Sequence, residues 1–407
     1  MTTSRDFNHL APPHTDDPYP VFAALRREAP VVYNPIFNLW FVTRHDDVVE
    51  VLRDASRFSS AHVLDPVEPP DAEIREALGD EHTCVYPLLS SDPPLHTRVR
   101  GFVAKAFSSA RTAALEPRIT AIADALIDTF AADGCADLIA RFAHPLPMRL
   151  TGEMFGIPPA DMPEIKRWCD EETLFLMAPL PHAQRLAFAR SVAAYRAYLR
   201  AMVEDHRRSP RGDLVDELIS AQVDDASALT TEEIAGALCV LIFAAHETTT
   251  NMLGNTLLHL LRRPEQWRAL CADPARIPAA LEEGLRYDPP VQGMTRTVTA
   301  ATELGGVALP AGARVFVVFA SANRDPACAS DPDRFDPARA PAQHLSFGRG
   351  PHFCVGAALA RLEGRIAIER LARRLPNLRL AGDGPLPYSP NLVHRGPTAL
   401  EIAWDPA

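Results

Sequence analysis

The sequence predicts a mainly α-helical fold with minor β-sheets, formed as a single domain by residues 1–407. Helical periodicity runs with few interruptions from Pro94 to about Tyr287. Within it, residues 231–262 are apolar on nearly every face, which is typical of a helix at the centre of a large protein. Short strands between turns occur near both ends of the chain, and no repeat or flexible linker separates domains.

Strands are predicted where β-branched and aromatic residues alternate between turn residues. They fall in three places: residues 31–33 with 39–43 around an Asn34-Pro35 turn, residues 295–299 with 314–320 around glycine- and proline-rich turns, and a final pair between about 391 and 404. These strands make up the minor sheet component of the fold.

The starts of two helices carry recognisable capping residues. A helix is predicted after Pro94, because proline suits a first helical turn, with Ser91 or Asp92 as its cap. Thr230 and Glu233 form a capping box at the start of the apolar segment. That segment is not interrupted by proline and spans roughly 45–50 Å as a helix. One more helix is predicted from residue 356 to about 375.

Charge and composition exclude several classes of protein. Apolar residues make up 47% of the 407 residues, and the formal net charge is −11, so the chain is a poor ligand for nucleic acid or for anionic membranes. The N-terminus has no signal-peptide pattern, and the most apolar stretch is too short for a membrane span. We therefore expect a soluble, cytoplasmic protein, and a monomer by default.

The cysteines form no metal-binding or disulfide pattern. They are scattered, odd in number and without a C-x-x-C pair: Cys84, Cys135, Cys169, Cys239, Cys271, Cys328 and Cys354. This distribution fits a reducing compartment, without a disulfide framework or a zinc site.

The strongest local signal is the stretch 347–356, which reads F-x-x-G-x-x-x-C-x-G. It places Cys354 at the start of a predicted helix, where free N–H groups of the first turn stabilise a thiolate. Gly350 and Gly356 allow a tight turn and the close approach of a flat macrocycle. A structural cysteine before a helix is the alternative interpretation, and the four motif positions together count against it.

With this motif the sequence resembles the cytochrome P450 family, specifically its soluble bacterial members, over essentially its whole length. The resemblance implies a P450 fold around a buried haem b and the long central helix. It implies that the Cys354 thiolate is the proximal iron ligand, with Phe347, Gly348 and Gly356 beside it. Such a thiolate donates electron density to iron and favours cleavage of dioxygen.

A second motif, E-x-x-R, places Glu283 and Arg286 on one face of a helix, where they can pair. Alone it is a weak signal, since any surface helix can hold such a pair. The resemblance implies that both residues form a buried network behind the haem with Arg334, from the stretch Pro-Asp-Arg-Phe. This network would retain the haem rather than take part in catalysis.

A third motif lies in the central helix. Glu247 and Thr248 follow Ala244 and Ala245, and a polar pair in so apolar a helix is costly unless it has a role. The alternative is a threonine that bonds back to its own helix, with the glutamate at the surface. The resemblance implies that the two alanines leave room for dioxygen and substrate above the haem, and that Glu247 and Thr248 relay protons. The family commonly has glycine where this chain has Ala245.

Cations at four positions match the haem-propionate ligands of the family. His96 and Arg100 lie at i and i+4 on one helix. Arg296 starts a strand, and His352 precedes Cys354 by two residues. The resemblance implies that these four bind the propionates.

Substrate contacts are also implied by the resemblance, and most of them are apolar, which indicates a hydrophobic small molecule held by shape. The candidates are Val240, Phe243, Ala244, Val291, Gln292, Met294 and Val393. The acidic stretch 61–89 is a candidate flap over the entrance. The compound class stays open between fatty acids, terpenoids or steroids, polyketides and aromatic acids.

Electrons are expected from outside the chain, because it shows no Rossmann fingerprint and no flavin or ferredoxin module. Five arginines crowd the sequence around and after Cys354 and are a candidate docking surface for an acidic ferredoxin, supplied by a ferredoxin reductase: Arg349, Arg361, Arg365, Arg373 and Arg374. An ordinary solvated helix face is the alternative interpretation of these arginines.

The leading hypothesis is a monooxygenase that takes two electrons and dioxygen and hydroxylates or epoxidises an apolar substrate. One alternative is a peroxygenase that uses hydrogen peroxide directly, against which the Glu247-Thr248 pair counts. Another is a haem-thiolate sensor or carrier without catalysis. A third is a P450 that couples rings or rearranges an intermediate without inserting oxygen, which the sequence does not separate from hydroxylation.

Overall fold

The computed structural model describes residues 7–79, 86–221, 227–382 and 384–405, and the structural statements below refer to these ranges. Helices dominate them, and short strands form three small sheets. The predicted mainly α fold with minor sheets is therefore confirmed. The helices are α1 Tyr19–Glu28, α2 His45–Arg53, α3 Ala72–Leu78, α4 Leu95–Ala106, α5 Ser109–Ala114, α6 Glu116–Asp128, α7 Pro145–Met154, α8 Met162–Met177, α9 His182–Arg208, α10 Leu214–Ser220, α11 Thr231–Leu261, α12 Pro264–Ala272, α13 Ile277–Tyr287, α14 Phe319–Ala322 and α15 Ala357–Arg374.

The strands are short, and several join parts of the chain that are far apart in sequence. They are β1 Val31–Asn34, β2 Leu39–Val42, β3 Phe58–Ser59, β4 Cys135–Asp137, β5 Met294–Val298, β6 Thr302–Leu304, β7 Val307–Leu309, β8 Arg314–Val317, β9 Arg379–Leu380 and β10 Glu401–Ala403. The predicted final strand pair is wrong: β10 pairs with β4 and with β9, and the chain before it makes only isolated bridges.

Helix α11 begins as the capping residues predict. The Thr230 N–H donates to the Glu233 side chain at 3.0 Å, and the Glu233 N–H donates to Thr230 Oγ1 at 3.2 Å. Thirty-one residues follow without a proline, to Leu261. By contrast, the side-chain cap predicted for α4 is absent: Asp92 accepts from the Ser60 N–H at 2.9 Å instead.

The largest sheet has the strand order β1-β2-β8-β5-β3, and β2 and β8 pair in parallel. Alternate side chains of β8 enter two different apolar clusters, with Val315 and Val317 in one and Phe316 in the other. Since successive side chains of a strand point to opposite faces, both faces of this sheet are buried. The Ser321 hydroxyl, which follows β8, donates to the carbonyl of Thr43, 278 residues away in sequence.

The described residues form two compact units, each built from separate stretches of chain. The first unit takes residues 1–59, 109–147 and 246–407, and it contains the large sheet, α13 and α15. The second takes residues 60–108 and 148–245, where α9 packs against α3, α8 and α10. The single domain expected from the sequence stays a prediction.

The candidate flap 61–89 belongs to the second unit. Residues 80–85 of it lie outside the described ranges. The part before them is not wholly irregular, since it holds α3, whose first turn is capped by the Asp71 carboxylate at 3.0 Å from the Ile74 nitrogen. Among the helices that the structure describes, none has the length and hydropathy that a membrane span requires.

Candidate active site

The loop before α15 holds Cys354 at the entry to the helix. The Cys354 N–H donates to the carbonyl of Phe347 at 2.8 Å, which closes the loop, and the Gly348 N–H donates to Leu345 at 2.8 Å. Cys354 lies three residues before the first helical residue, Ala357, and is partly accessible. Its sulfur therefore sits near the free N–H groups of the helix N-terminus, which stabilise a thiolate.

Glycines in this loop have different roles. Gly348 and Gly350 adopt φ values of +69° and +75°, which favour glycine. A Cβ at Gly350 would also lie 2.3 Å from the carbonyl oxygen of Leu52. Gly356 has a φ of −85°, so the turn itself does not require glycine there. A Cβ at Gly356 would instead face the Cys354 sulfur at 4.0 Å.

Hydrogen bonds from Asn323 and Ser346 anchor the loop to the neighbouring helices. The Asn323 side chain accepts from the Leu345 N–H at 2.6 Å and donates to Ser346 Oγ at 2.9 Å. The Ser346 hydroxyl donates in turn to the carbonyl of Leu285 in α13 at 2.7 Å. The position of the cysteine loop is thus tied to the helix that carries the E-x-x-R motif.

Glu283 and Arg286 form a bidentate ion pair inside the first unit. Arg286 Nε lies 2.7 Å from Glu283 Oε2, and its Nη2 lies 2.8 Å from Oε1. The side chains are 4% and 0% exposed, which places the pair in the interior. Arg286 also donates to the carbonyls of Asn323, Pro332 and Arg334 at 2.8–3.1 Å.

The third cation of this network is Arg339 and not Arg334. The Arg334 side chain is 65% exposed and pairs with Asp336, and only its backbone carbonyl enters the network. The Arg339 guanidinium lies 3.4 Å from Glu283 Oε1 and is 10% exposed. The reason lies in the turn: the Asp336 N–H donates to Glu283 at 2.8 Å, and the Arg339 N–H donates back to Asp336. The sequence analysis missed Arg339 because the P-x-R-F motif pointed to Arg334 instead.

Helix α11 is more accessible at its middle than in the turns around it. Ala244 is exposed, and Val240, Phe243, Ala245, Glu247 and Thr248 are half-buried. The neighbouring His246, Thr249, Thr250 and Asn251 are buried. One face of the helix therefore presents small and apolar side chains together with the Glu247-Thr248 pair.

The polar groups of α11 are held by side chains one turn away. The Thr250 hydroxyl donates to the carbonyl of His246 at 2.9 Å, so Thr250 is a back-bonding threonine of this stretch. Asn251 Nδ2 donates to Glu247 Oε1 at 3.2 Å. Burial lowers the pKa of His394, and the negative charge of Glu247 opposes this by raising the pKa. Neither Asn251 nor His394 was singled out from the sequence, because no motif connects residues 247 and 394.

The four predicted propionate ligands fall in both units. His96 and Arg100 lie on α4 in the second unit, and His96 is buried. Arg296 is buried in β5, where Nη1 donates to the carbonyl of Thr295 at 2.6 Å. His352 is half-buried and ends the short helical turn before Cys354. Their role at the propionates stays a prediction.

The substrate candidates after α13 divide into two groups. Val291, Met294 and Val393 are half-buried and can line a cavity wall. Gln292 is fully buried, and its amide donates to the carbonyl of Pro289 at 2.7 Å. Its side chain therefore presents no accessible surface, and its backbone pins the chain by a 2.6 Å bond from its N–H to the carbonyl of Val393.

Acidic partners compensate most of the arginines near Cys354. Arg361 forms a bidentate pair with Glu282 at 2.7 and 2.9 Å and lies over the Phe347 ring. The others pair as follows: Arg365 with Glu116 and Glu369, Arg373 with Glu369, and Arg374 with Asp124 and Asp128. This cluster therefore carries less net positive charge than its sequence suggests.

The residues around Cys354 fit a haem bound through one sulfur. Cys354 is a free cysteine, and it belongs to no group of three or more ligand side chains within the described ranges. It thus offers a single axial ligand, as haem-thiolate iron requires, rather than a protein-only metal cage. Gly348 and Gly350 add no side chains to the backbone turns of this loop.

Comparisons with known proteins agree with this site. The family model named Cytochrome P450 matches residues 163–273 and 276–389. The cytochrome P450 monooxygenase PikC of Streptomyces venezuelae is 38% identical over 98% of this chain and 94% of its own length. The erythromycin C-12 hydroxylase of Saccharopolyspora erythraea is 39% identical over 88% of this chain and 87% of its own. The structure of cytochrome P450 CREJ in complex with (4-ethylphenyl) dihydrogen phosphate superposes with a TM-score of 0.92 at 32% identity, covering 99% and 100% of the two chains.

The two relatives and the solved structure match 88% to 99% of this chain at 32% to 39% identity. The proteins of the family that are similar to it are named monooxygenases and hydroxylases, and they use haem b. The chain belongs to the cytochrome P450 family, and it is a haem b oxidoreductase that acts as a monooxygenase.

Proposed function

We propose that this P450 hydroxylates or epoxidises a bulky hydrophobic small molecule, with two electrons supplied by a ferredoxin and its reductase. The observation that carries the proposal is the accessible middle of α11, where an acid and an alcohol stand among small and apolar side chains. A haem bound at Cys354 supplies the activation of dioxygen.

The residues of α11 have separate roles in this reaction. Ala244 and Ala245 leave space beside the helix, because their side chains end at Cβ. Glu247 takes up protons and passes them on, and Thr248 orients the proton by a hydrogen bond from its hydroxyl. Asn251 holds one oxygen of the Glu247 carboxylate at 3.2 Å. An acid and an alcohol at adjacent positions can thus move protons without opening the site to bulk water.

The substrate class is proposed from the accessible apolar side chains and from the relatives. Val240, Phe243, Val291, Met294 and Val393 offer contact area without charge, which favours recognition by shape. One relative acts, as its name says, on carbon 12 of erythromycin, a large macrolide. We propose a macrolide-sized or steroid-sized substrate for this chain.

A ferredoxin is proposed as the electron donor because of the surface near Cys354. Phe353, the residue before Cys354, is 43% exposed. Arg349, on the same loop, has no acidic partner within the described ranges. An exposed aromatic ring and an uncompensated cation on the same loop suit a small acidic protein. The other arginines of the cluster pair with acids and contribute less to such docking. A cytoplasmic location is part of this proposal.

The first test is the carbon-monoxide difference spectrum of the reduced protein beside that of Cys354→Ser. We expect a Soret band far to the red of His-ligated haem, absent from the variant. A His-type band in the wild-type protein would contradict the assignment of Cys354. The spectrum needs no substrate, so it separates the ligand from the rest of the proposal.

The second test uses spin-state shifts with a panel of macrolides, steroids, fatty acids and aromatic acids. Binders are then incubated with ¹⁸O₂, NADH, a ferredoxin and a ferredoxin reductase. We expect one ¹⁸O atom in the product and no comparable turnover with hydrogen peroxide alone. Peroxide turnover that matches the ferredoxin system would favour the peroxygenase, and a coupled product without ¹⁸O would favour ring coupling.

A further inference from the structure

One face of α11 meets the segment 391–397 at very short range. Gly396 is buried in that segment, and a Cβ on it would lie 2.3 Å from Oδ1 and 2.7 Å from Cγ of Asn251. The φ of Gly396 lies outside the left-handed region, so the backbone conformation does not require glycine. The Asn251 amide instead fills the space that a side chain at position 396 would need.

The helix makes room for the segment in the same way. Gly254 lies three residues after Asn251, on the same face of α11, and a Cβ there would lie 3.2 Å from Cδ of Pro397. Asn255, one residue further, is fully buried and donates to the carbonyl of Arg395 at 2.9 Å. Because glycine is unfavourable inside a helix, this close contact explains its presence at position 254.

The Asn251 amide has two ends with different neighbours. Its Oδ1 end faces Gly396, and its Nδ2 donates to Glu247 Oε1 at 3.2 Å. An amide turned by half a circle would direct Oδ1 at the Glu247 carboxylate, and two acceptors cannot share a hydrogen bond. The contact with Gly396 therefore fixes where the amide lies, and the donation to Glu247 fixes which way it points.

The segment that carries Gly396 is anchored on its far side. The Gln292 N–H donates to the carbonyl of Val393 at 2.6 Å, and the Arg395 N–H donates to the carbonyl of Pro290 at 2.9 Å. Movement of the segment away from α11 would break these backbone bonds. A side chain added at position 396 is therefore accommodated by displacement of the Asn251 amide, which turns about single bonds.

We propose that Gly396 is a positioning residue for proton transfer: by lacking a side chain it admits the Asn251 amide, which in turn holds the Glu247 carboxylate. This inference rests on the proposed function of the Glu247-Thr248 pair. No proton passes through Gly396 or Asn251, and the two residues act only on the position of the acid. A larger residue at position 396 displaces the amide, and Glu247 then loses the hydrogen bond from Asn251.

The first experiment follows the Asn251 side-chain amide by ¹⁵N NMR in the diamagnetic, carbon-monoxide-bound ferrous protein, with Asn251→Ala for assignment. In Gly396→Ala we expect the amide signal to shift and its hydrogens to exchange with solvent as fast as in Glu247→Ala, because both variants remove the same bond. An unchanged signal in Gly396→Ala would overturn the inference. This readout needs neither substrate nor turnover, so a failure of the proposed function does not affect it.

The matched control is Gly254→Ala, which crowds the same contact without touching the amide. Its Cβ would lie 2.9 Å from Cδ1 of Ile139 and 3.2 Å from Cδ of Pro397. Thermal unfolding of this variant and of Gly396→Ala records the effect of crowding itself, whereas the Asn251 signal should shift in Gly396→Ala alone. An equal shift in both variants would reveal a general loosening of the packing and would also overturn the inference.

The second experiment measures turnover of the panel compound with the largest spin-state shift, using the ferredoxin system. In Gly396→Ala we expect about tenfold less product per NADH and a changed solvent isotope effect, short of the roughly 10²–10⁴-fold cost of losing a general acid itself. In the Asn251→Ala background the same substitution should have little further effect, because the amide that it displaces is already absent. Independent losses that multiply in the double variant would refute the role of Gly396.

Discussion

Two glutamates of the first unit, Glu283 on α13 and Glu247 on α11, lie in contrasting surroundings. Glu283 is enclosed by the guanidinium groups of Arg286 and Arg339 and by a backbone N–H. Glu247 lies on an accessible helix face and accepts a hydrogen bond from the neutral amide of Asn251. Two cations and a backbone N–H surround the first carboxylate, whereas the second is hydrogen-bonded by a neutral amide.

The difference separates residues that build the site from residues that act in it. A buried pair is expensive to break, because the remaining partner becomes an uncompensated charge. An acid among neutral donors costs little stability when it is replaced, but its chemistry is lost. Substitutions at the two sites should therefore have opposite effects on stability and on turnover.

The largest effect is expected for Arg286→Ala, which leaves Glu283 buried with only the more distant Arg339. We expect a loss of about 3–5 kcal/mol in the free energy of unfolding, the usual cost of breaking a buried pair. Arg286→Lys should also lower the free energy of unfolding, because lysine cannot reproduce the bidentate geometry. The measurement is urea unfolding together with the yield of haem protein. Near-wild-type stability in Arg286→Ala would contradict the structural role of the Glu283-Arg286 pair.

Replacing the acid of α11 should give the reverse pattern. Glu247→Gln and Thr248→Val should lower the rate of product formation by about 10²-fold, the lower end for loss of proton transfer. The free energy of unfolding should change by less than about 1 kcal/mol, because both side chains are half-buried on an accessible face. Steady-state turnover with the ferredoxin system and urea unfolding measure the two effects. Equal losses in both would show that Glu247 is structural.

A sharper test within the network compares two nearby arginines. Arg339→Ala should cost about 1.5–3 kcal/mol, because it removes hydrogen bonds from a buried charged group. Arg334→Ala should stay within about 0.5 kcal/mol, because its side chain is exposed and its carbonyl is retained. Thermal unfolding of the two variants side by side decides between them. The reverse order would restore Arg334 as the third member of the network.

The smallest effect concerns Glu282, the neighbour of Glu283 on α13. Burial raises the pKa of Glu282, but hydrogen bonds from His344 and Arg361 outweigh it and lower the pKa to about 2. Because the folded-state pKa is depressed, this stabilisation is present above about pH 4.5 and is lost as the pH falls towards 2. The contribution should be below about 1 kcal/mol, since the pair is half-exposed.

Unfolding of wild type and Glu282→Gln at pH 7, 5, 4 and 3 measures this contribution. The wild-type advantage should shrink as the pH falls below 5. A constant advantage over the whole series would show that charge is not its source.

Much of this site could be predicted because its motifs are local. The Cys354 loop and the Glu283-Arg286 pair each lie within ten residues, so their geometry follows from a turn or a helix repeat. The capping box of Thr230 and Glu233 is another local pattern, and it is confirmed.

The misses come from contacts that sequence spacing does not encode. Arg339 reaches Glu283 only because a turn at Asp336 reverses the chain, whereas the motif pointed to Arg334. One of the two partners of β10, β4, lies far from it in sequence.

The pairing of β2 with β8 has a consequence for how the protein folds. The strands belong to one sheet, but the Thr43–Ser321 bond after them joins residues 278 positions apart. During synthesis β2 cannot pair with β8 until most of the chain has left the ribosome. Until then its apolar side chains stay exposed to solvent. Folds dominated by such long-range contacts form slowly and are prone to aggregate before completion. Slow translation of the segment before residue 314 should therefore lower the yield of folded enzyme without changing its stability.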